Sequence, residues 1–241
     1  MSTHANNSAS SGPVIESSEV NRMFAGIAGK YDRANRFCSV GIDVYWRHRT
    51  VSRAKKEKPE IVIDLATGSG DIALLLRKKL TPETEVIGLD FCEEMLEEAR
   101  KKNSRGSGLS FRHGDCLSLP LPDEFASVAT IGFGLRNLED RDAGLKEMYR
   151  VLQPGGSLLI LEFSQPYRIL RPLYYFYLNK VLPWIASKVT GNVDAYQYLG
   201  GTIGAFPDRD SLSTQIKAAG FESVKATPLT GGIVALHHAR K

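Results

Sequence analysis

Short apolar runs alternate along this chain with longer stretches in which apolar residues recur every three or four positions. The runs IVIDL (61–65), TEVIGLD (84–90), LSFRH (109–113), FASVATIGF (125–133) and SLLILEF (157–163) predict strands. DIALLLRKKL (71–80) and FCEEMLEEARKKN (91–103) predict the helices after the first two strands. EDRDAGLKEMYRVL (139–152) predicts another, ahead of a turn at QPGG. Strand–helix alternation with short apolar strands indicates a parallel sheet covered on both faces, because each crossover helix buries one of them. Ligands of such sheets bind at the carboxyl ends of the strands.

The alternation ends differently. A helix over DRDSLSTQIKAAG, closed by Gly220, precedes two strands, FESVKAT and GGIVALHHA, joined by PLTGG. So short a link requires antiparallel pairing, since a parallel crossover takes about a dozen residues or more. The predicted fold is α/β: a Rossmann-like, doubly wound sheet ending in an antiparallel hairpin, unlike the all-parallel dinucleotide fold.

Two segments stand outside this rhythm. Val20, Phe24 and Ile27 recur at i, i+4 and i+7, so a helix begins there, and DVYWRHRTVSRAKK predicts a second before Pro59. Residues 164–205 are aromatic, helical in pattern and interrupted by prolines. The chain therefore divides into a disordered polar tail (1–19), an N-terminal helical cap (20–58) and the α/β domain (59–241), with a lid insertion at about 164–205.

Composition narrows the classes. The 241 residues are 42% hydrophobic with a formal charge of +4, too mild for the basic stripe of a nucleic-acid reader. No run approaches the roughly 18 apolar residues of a membrane span. The first residues lack both the apolar core of a signal peptide and the arginines of a transit peptide. Cys38, Cys92 and Cys116 are scattered without metal-ligand or redox-pair spacing, which suits a reducing cytosol and predicts no metal. The expected location is cytoplasmic.

The turn after the first strand, VIDLATGSGD, fits a loose phosphate-loop pattern through Gly68, Gly70 and Ala73, with Asp90 at a ribose-binding distance downstream. That pattern alone admits a dinucleotide-dependent oxidoreductase. The acids decide otherwise. A pyrophosphate lies on a helix N-terminus, yet here Asp71 occupies that first turn and Asp64 ends the strand before it. Two carboxylates oppose a diphosphate and favour a cofactor with an ammonium and a sulfonium, which is S-adenosyl-L-methionine. Gly68 and Gly70 then give close backbone approach, Asp90 takes the ribose hydroxyls, Asp115 accepts from the adenine amino group, and the backbone at Cys116 reads the ring edge. Cys116 itself reads as pocket wall rather than nucleophile.

The stretches MFAGIAGKYDRANRFCSVGIDVYWRH, DLATGSGD, IGFGLRNLEDRDAGLKEMYRVLQPGGSLLILEFSQP, YQYLGGTIGAFPD and AGFESVKATPLTGGIVALH together resemble the ubiquinone/menaquinone biosynthesis C-methyltransferases, in one order from about Val20 to the C-terminus. The resemblance implies a class I methyltransferase that moves a methyl group from S-adenosylmethionine to a ring carbon of a polyprenylated quinol such as demethylmenaquinol. Ser69 stands where relatives usually carry threonine in the glycine turn, which keeps a hydroxyl for the cofactor. Gly132 stands where many have serine, and Gly201 and Thr202 replace a Glu-Ser pair.

That chemistry needs an electron-rich ring, best made by ionising a phenol. With a tyrosine-like pKa near 10, ionisation at pH 7 costs about 4 kcal/mol, which a base or a nearby cation can offset. Arg136 is the candidate cation. Asp32 is a candidate base and Tyr31 a candidate quinol contact, or both, with Asn35, fix the cap to the core. Asn137 orients the ring or caps the next helix. Trp46 reads as core, and the isolated His113 and His237 as structural. In the lid, Leu173, Tyr174, Tyr177, Leu178, Val181 and Leu182 suggest an apolar face flanked by Arg168, Arg171, Lys180 and Lys188. It reads as a guide for the isoprenoid tail through transient contact with the membrane surface, as an ordinary lid, or as a homodimer contact.

Overall fold

The computed structural model describes residues 22, 25–26, 31–103, 108–181 and 200–241. The expected helix start at Val20, and Leu182 and Lys188 of the expected lid, lie outside the described residues.

Two helices lead the fold, α1 (Tyr31–Cys38) and α2 (Ile42–Lys56), broken at Gly41, whose φ of 77° favours glycine. The sheet then begins with β1 (Ile61–Leu65), α3 (Asp71–Lys79), β2 (Glu85–Asp90), α4 (Glu93–Lys102), β3 (Leu109–His113) and β4 (Ala126–Gly132). It continues through α5 (Arg141–Val151) and β5 (Leu152–Phe163) to the lid helix α6 (Arg171–Phe176), which runs on as a π-helical turn over Tyr177–Val181. Last come α7 (Arg209–Ala218), β6 (Ser223–Leu229) and β7 (Val234–Arg240).

The seven strands lie in the order β3-β2-β1-β4-β5-β7-β6. Neighbours from β3 to β5 are parallel, and β7 runs antiparallel to both β5 and β6, as the short PLTGG link requires. One apolar layer packs α5 and α7 on the sheet through Leu145, Met148, Leu212 and Ile216; the other packs α2, α3 and α4 through Trp46, Ile72, Leu76 and Leu96. Both faces are covered, which is why the strands can be continuous apolar runs.

QPGG is not a free turn. Leu152 pairs with Ala126 and Ser157 with Val128, so residues 153–156 bulge opposite Ser127 and lengthen β5. The bulge is held from the chain end, where Gly155 N–H donates to the Lys241 carbonyl and Lys241 N–H to that of Gly156.

Strand order reverses between β1 and β4. The loops leaving their carboxyl ends therefore diverge and open a crevice at that edge.

Candidate active site

The turn after β1 is built for close approach. Gly68 and Gly70 have φ of 57° and 83°, and a Cβ on Gly70 would lie 2.8 Å from the Phe111 ring. Thr67 N–H donates to the Leu89 carbonyl at 2.9 Å, tying the turn to β2.

Beneath it, Asp64 is fully buried between its register partners Gly88 and Thr130. Its two oxygens accept from Thr67 Oγ1 at 2.6 Å and Thr130 Oγ1 at 2.5 Å, and burial lifts its pKa to about 6. Asp64 thus supports the turn from below and does not reach the crevice wall, contrary to the expectation. Asp71 does not reach it either. It faces outward, 3.1 Å from Arg47, 3.3 Å from Lys102 and 3.8 Å from Arg36.

The crevice itself is a cleft of about 150 Å³ lined by Gly68, Asp90, Met95, Asp115, Cys116, Phe133, Asn137 and Glu139, among others. Three carboxylates line it, and among the described residues no lysine, arginine or histidine does. Asp90 accepts from Gly68 N–H at 2.7 Å and Cys92 N–H at 2.9 Å, and burial raises its pKa. Asp115 accepts from Leu117 N–H at 2.9 Å, leaving its second oxygen unused by that turn. Burial pushes the Cys116 thiol up to about 12, so it is neutral wall and no nucleophile. The helix after the 133–139 loop is capped by Asp140, which accepts from Ala143 N–H at 2.9 Å, and not by Asn137.

Ser69 and Gly70 line neither this cleft nor the cavity next to it. Ser69 Oγ instead donates to Asp32, which also pairs with Lys102, and Lys102 Nζ lies 2.9 Å from the Ser69 carbonyl. Asp32 is therefore part of a clasp between α1, the glycine turn and α4, and lies off both cavities. Tyr31 opens α1, and its side chain lies outside the described residues.

A second cavity, about 470 Å³, adjoins the first through one shared wall, Phe133. Its lining is mostly apolar, from Ile42 and Trp46 of α2, Phe163 of β5, Leu173, Tyr174 and Leu178 of the lid, and Ile203. Trp46 is core as expected, packed on Phe133 and Phe163, and its Nε1 donates to Thr230 at 2.8 Å. Into this cavity comes Arg136, whose guanidinium donates to Glu162 Oε1 at 2.8 Å and lies 5.2 Å from the Phe163 ring centre. A permanent cation thus sits in apolar surroundings beside the shared wall.

The lid departs from its expected single face. Tyr174 and Leu178 point inward, Tyr177 donates to the Cys38 carbonyl at 2.7 Å, and Leu173 and Phe176 are exposed. His237 is structural: Nε2 meets the Arg209 carbonyl at 3.0 Å and burial lowers its pKa. A Cβ on Gly132 would stand 2.3 Å from Ile72 Cδ1, so a larger residue there requires the end of the Ile72 side chain to turn aside. Among the described residues no cluster of metal-ligating side chains occurs.

Sequence reasoning missed Glu162, Phe133 and Lys102. Glu162 carried a signal, since a lone acid inside the apolar run LLILEF must find a partner when buried.

An acid-lined cleft at the switch point of a 3-2-1-4-5-7-6 sheet defines a class I S-adenosylmethionine-dependent methyltransferase. Solved structures share that fold: an S-adenosylmethionine-dependent methyltransferase from Thermotoga maritima aligns at a TM-score of 0.62 over 91% of this chain and 99% of its own, with 20% identity. Another from Aquifex aeolicus aligns at 0.58 over 79% and 88%, with 18% identity. The chain belongs to the ubiE/COQ5 methyltransferase family, whose sequence profile matches residues 13–241. It is 44% identical to the demethylmenaquinone methyltransferase of Thermus thermophilus, over 89% of this chain and 98% of that one. It is 40% identical to the ubiquinone/menaquinone biosynthesis C-methyltransferase UbiE of Shewanella oneidensis, over 91% and 89%. Family membership sets aside the dinucleotide oxidoreductase.

Proposed function

We propose that this chain methylates a ring carbon of a polyprenylated quinol, of the demethylmenaquinol or ubiquinol-precursor type, with S-adenosylmethionine as the methyl donor. The observation that carries the reading is the pair of cavities meeting at Phe133, one lined by carboxylates and the other apolar with a buried cation.

The donor set of the first cleft fits the cofactor. A carboxylate offers about four acceptor sites; Asp90 uses two on Gly68 and Cys92, which leaves two for vicinal ribose hydroxyls. Asp115 has an oxygen for the adenine amino group, and the backbone at Cys116 follows the ring edge. The glycine turn brings backbone close without presenting a cation to it. When bound, S-adenosylmethionine supplies an electrophilic methyl group on a cationic sulfur. Of the seven residues expected to hold it, Asp90, Asp115, Cys116 and Gly68 line the cleft. Asp64, Ser69 and Gly70 act through the shape of the turn.

In the second cavity Arg136 holds the ring oxygen while its proton passes to solvent water. Once the ring carbon has taken the methyl group, that carbon's own proton is lost to water and the oxygen is reprotonated, so one proton is released overall. Arg136 cannot itself accept the phenolic proton, since its pKa lies too high. Stabilising the phenolate offsets the ionisation cost of about 4 kcal/mol, and does so best away from water. Confinement of two reactants in cavities that meet beside Phe133 supplies alignment, worth roughly 7–11 kcal/mol in favourable cases. Asp32 serves as the clasp that closes the cap, not as the base.

The mouth of the apolar cavity suits a lipid surface. Val40 and Leu173 line the cavity and are 80% and 71% exposed; Phe176, at 60%, and Arg168, Arg171 and Lys180 are exposed in the same segment as Leu173. Among the described residues no helix is long and apolar enough to cross a membrane. We propose transient docking of this rim on an anionic bilayer, with the isoprenoid tail entering between Val40 and Leu173.

Incubation with methyl-labelled S-adenosylmethionine and either reduced demethylmenaquinone or the matching benzoquinol tests the reaction. Label in a ring-methylated quinol, identified by mass spectrometry, is the expected result. Neither quinol acquiring label would overturn the reading.

A further inference from the structure

Two side chains that line the apolar cavity each carry a polar atom with nothing to bond. Among the described residues, the Tyr174 hydroxyl and Arg136 Nε are buried and lack hydrogen-bond partners, and both side chains line the cavity. Buried polar groups are nearly always satisfied, so an orphan at a cavity wall marks what a ligand must bring.

The lid's own tyrosines sharpen the point. Tyr175 bonds to Gln165 and Tyr177 to the Cys38 carbonyl, so these two fasten the lid. Tyr174 is the most buried of the three, only 9% exposed, and fastens nothing. Its burial raises the hydroxyl well above the ordinary tyrosine range, and the nearby Arg136 charge pulls the other way without prevailing. The hydroxyl is therefore a neutral donor throughout the working pH range.

The two orphans also occupy different sides. Arg136 donates to the carbonyl of Phe133, the residue shared with the cofactor cleft, whereas among the described residues none of the lid lines that cleft. We propose that the Tyr174 hydroxyl donates a hydrogen bond to the quinol oxygen remote from the reacting carbon, while Arg136 holds the oxygen beside it. The inference rests on the quinol reading above. It makes Tyr174 a catalytic residue that selects a dihydroxy ring over a monohydric phenol, with the head inward and the tail toward Leu173.

Tyr174→Phe tests this, because it removes the hydroxyl and keeps the ring. Initial rates are read with short-chain reduced demethylmenaquinone, and inhibition constants with the matching prenylated naphthol that lacks the remote hydroxyl. The expected result is a loss of about tenfold or more in kcat/KM for the diol, with the naphthol constant unchanged within about twofold. The Kd for S-adenosylmethionine stays the same, and the Tm of the ligand-free protein stays or rises, since an unmet buried hydroxyl is gone. An unchanged kcat/KM overturns the proposal. So do equal losses for diol and naphthol, above all with a lowered Tm, which would make the hydroxyl structural. If the wild type methylates no quinol, the functional reading fails first and takes this inference with it.

Discussion

Arg136 and Glu162 form an ion pair of 2.8 Å, with side chains only 6% and 0% exposed, at the adjoining ends of β4 and β5. Glu162 also accepts from the N–H groups of Arg136, at 3.3 Å, and of Phe163, at 2.9 Å. One buried carboxylate thus fixes both the backbone and the guanidinium of the residue proposed to face the quinol.

Glu162→Gln keeps the shape and strands the cation. Breaking a buried pair costs about 3–5 kcal/mol. In a chain of this size that lowers Tm by roughly 6–20 °C, readable by calorimetry, with a matching loss of methyl transfer. Replacing both partners by methionine is expected to restore most of the stability and none of the activity. Full stability in the single variant would contradict the pairing.

Asp64 gives a pH signature. Its folded-state pKa of about 6 exceeds the ordinary 3.8, so the folded protein keeps a proton that the unfolded chain releases. Asp64 therefore favours folding at low pH, and that benefit is lost as pH rises through the window from about 4 to about 6, by up to about 3 kcal/mol. Asp64→Asn cannot titrate. Chemical denaturation should find the variant gaining on the wild type between pH 4 and pH 7, and a pH-independent difference would count against the burial.

Asp32 distinguishes clasp from base. Its pair with Lys102 is about one-third exposed, so its loss costs at most about 1 kcal/mol. Asp32→Asn is expected to raise KM for both substrates while the pH profile of kcat keeps its shape. Disappearance of an ionisation from that profile would restore the base.

The lid rim has its own test. Leu173→Ser with Phe176→Ser leaves the inward Tyr174 and Leu178 in place. Flotation with anionic phosphatidylglycerol vesicles should recover the wild type and not the double variant. Equal recovery would remove the membrane role.

Much of this was legible in the chain. IVIDL and LSFRH fall on β1 and β3 residue for residue, the first as a near-continuous apolar run and the second as an alternating one, each followed by a polar turn. That Asp90 and Asp115 stand at the carboxyl edge was legible, because Asp90 ends β2 and Asp115 follows β3 by two residues. The places of Asp64 and Asp71 were not, since the same local pattern serves a buried support or an outward ion pair. What separates them is the tertiary neighbour, Thr130 in one case and Arg47 in the other. QPGG carries every mark of a turn, yet contact with Lys241 draws it into a strand bulge. Helical spacing suggested one apolar lid face, and the π-helical turn at Tyr177–Val181 breaks that spacing.

The central claim is that the cleft bounded by Asp90 and Asp115 receives the methyl donor and meets the proposed quinol cavity beside Phe133. A crystal structure with S-adenosylmethionine bound tests this most directly. The account predicts ribose hydroxyls on Asp90, adenine beside Asp115 and the sulfonium methyl at the Phe133 wall, turned toward Arg136. Density for the donor outside this cleft, or with its methyl turned away from the apolar cavity, would contradict it.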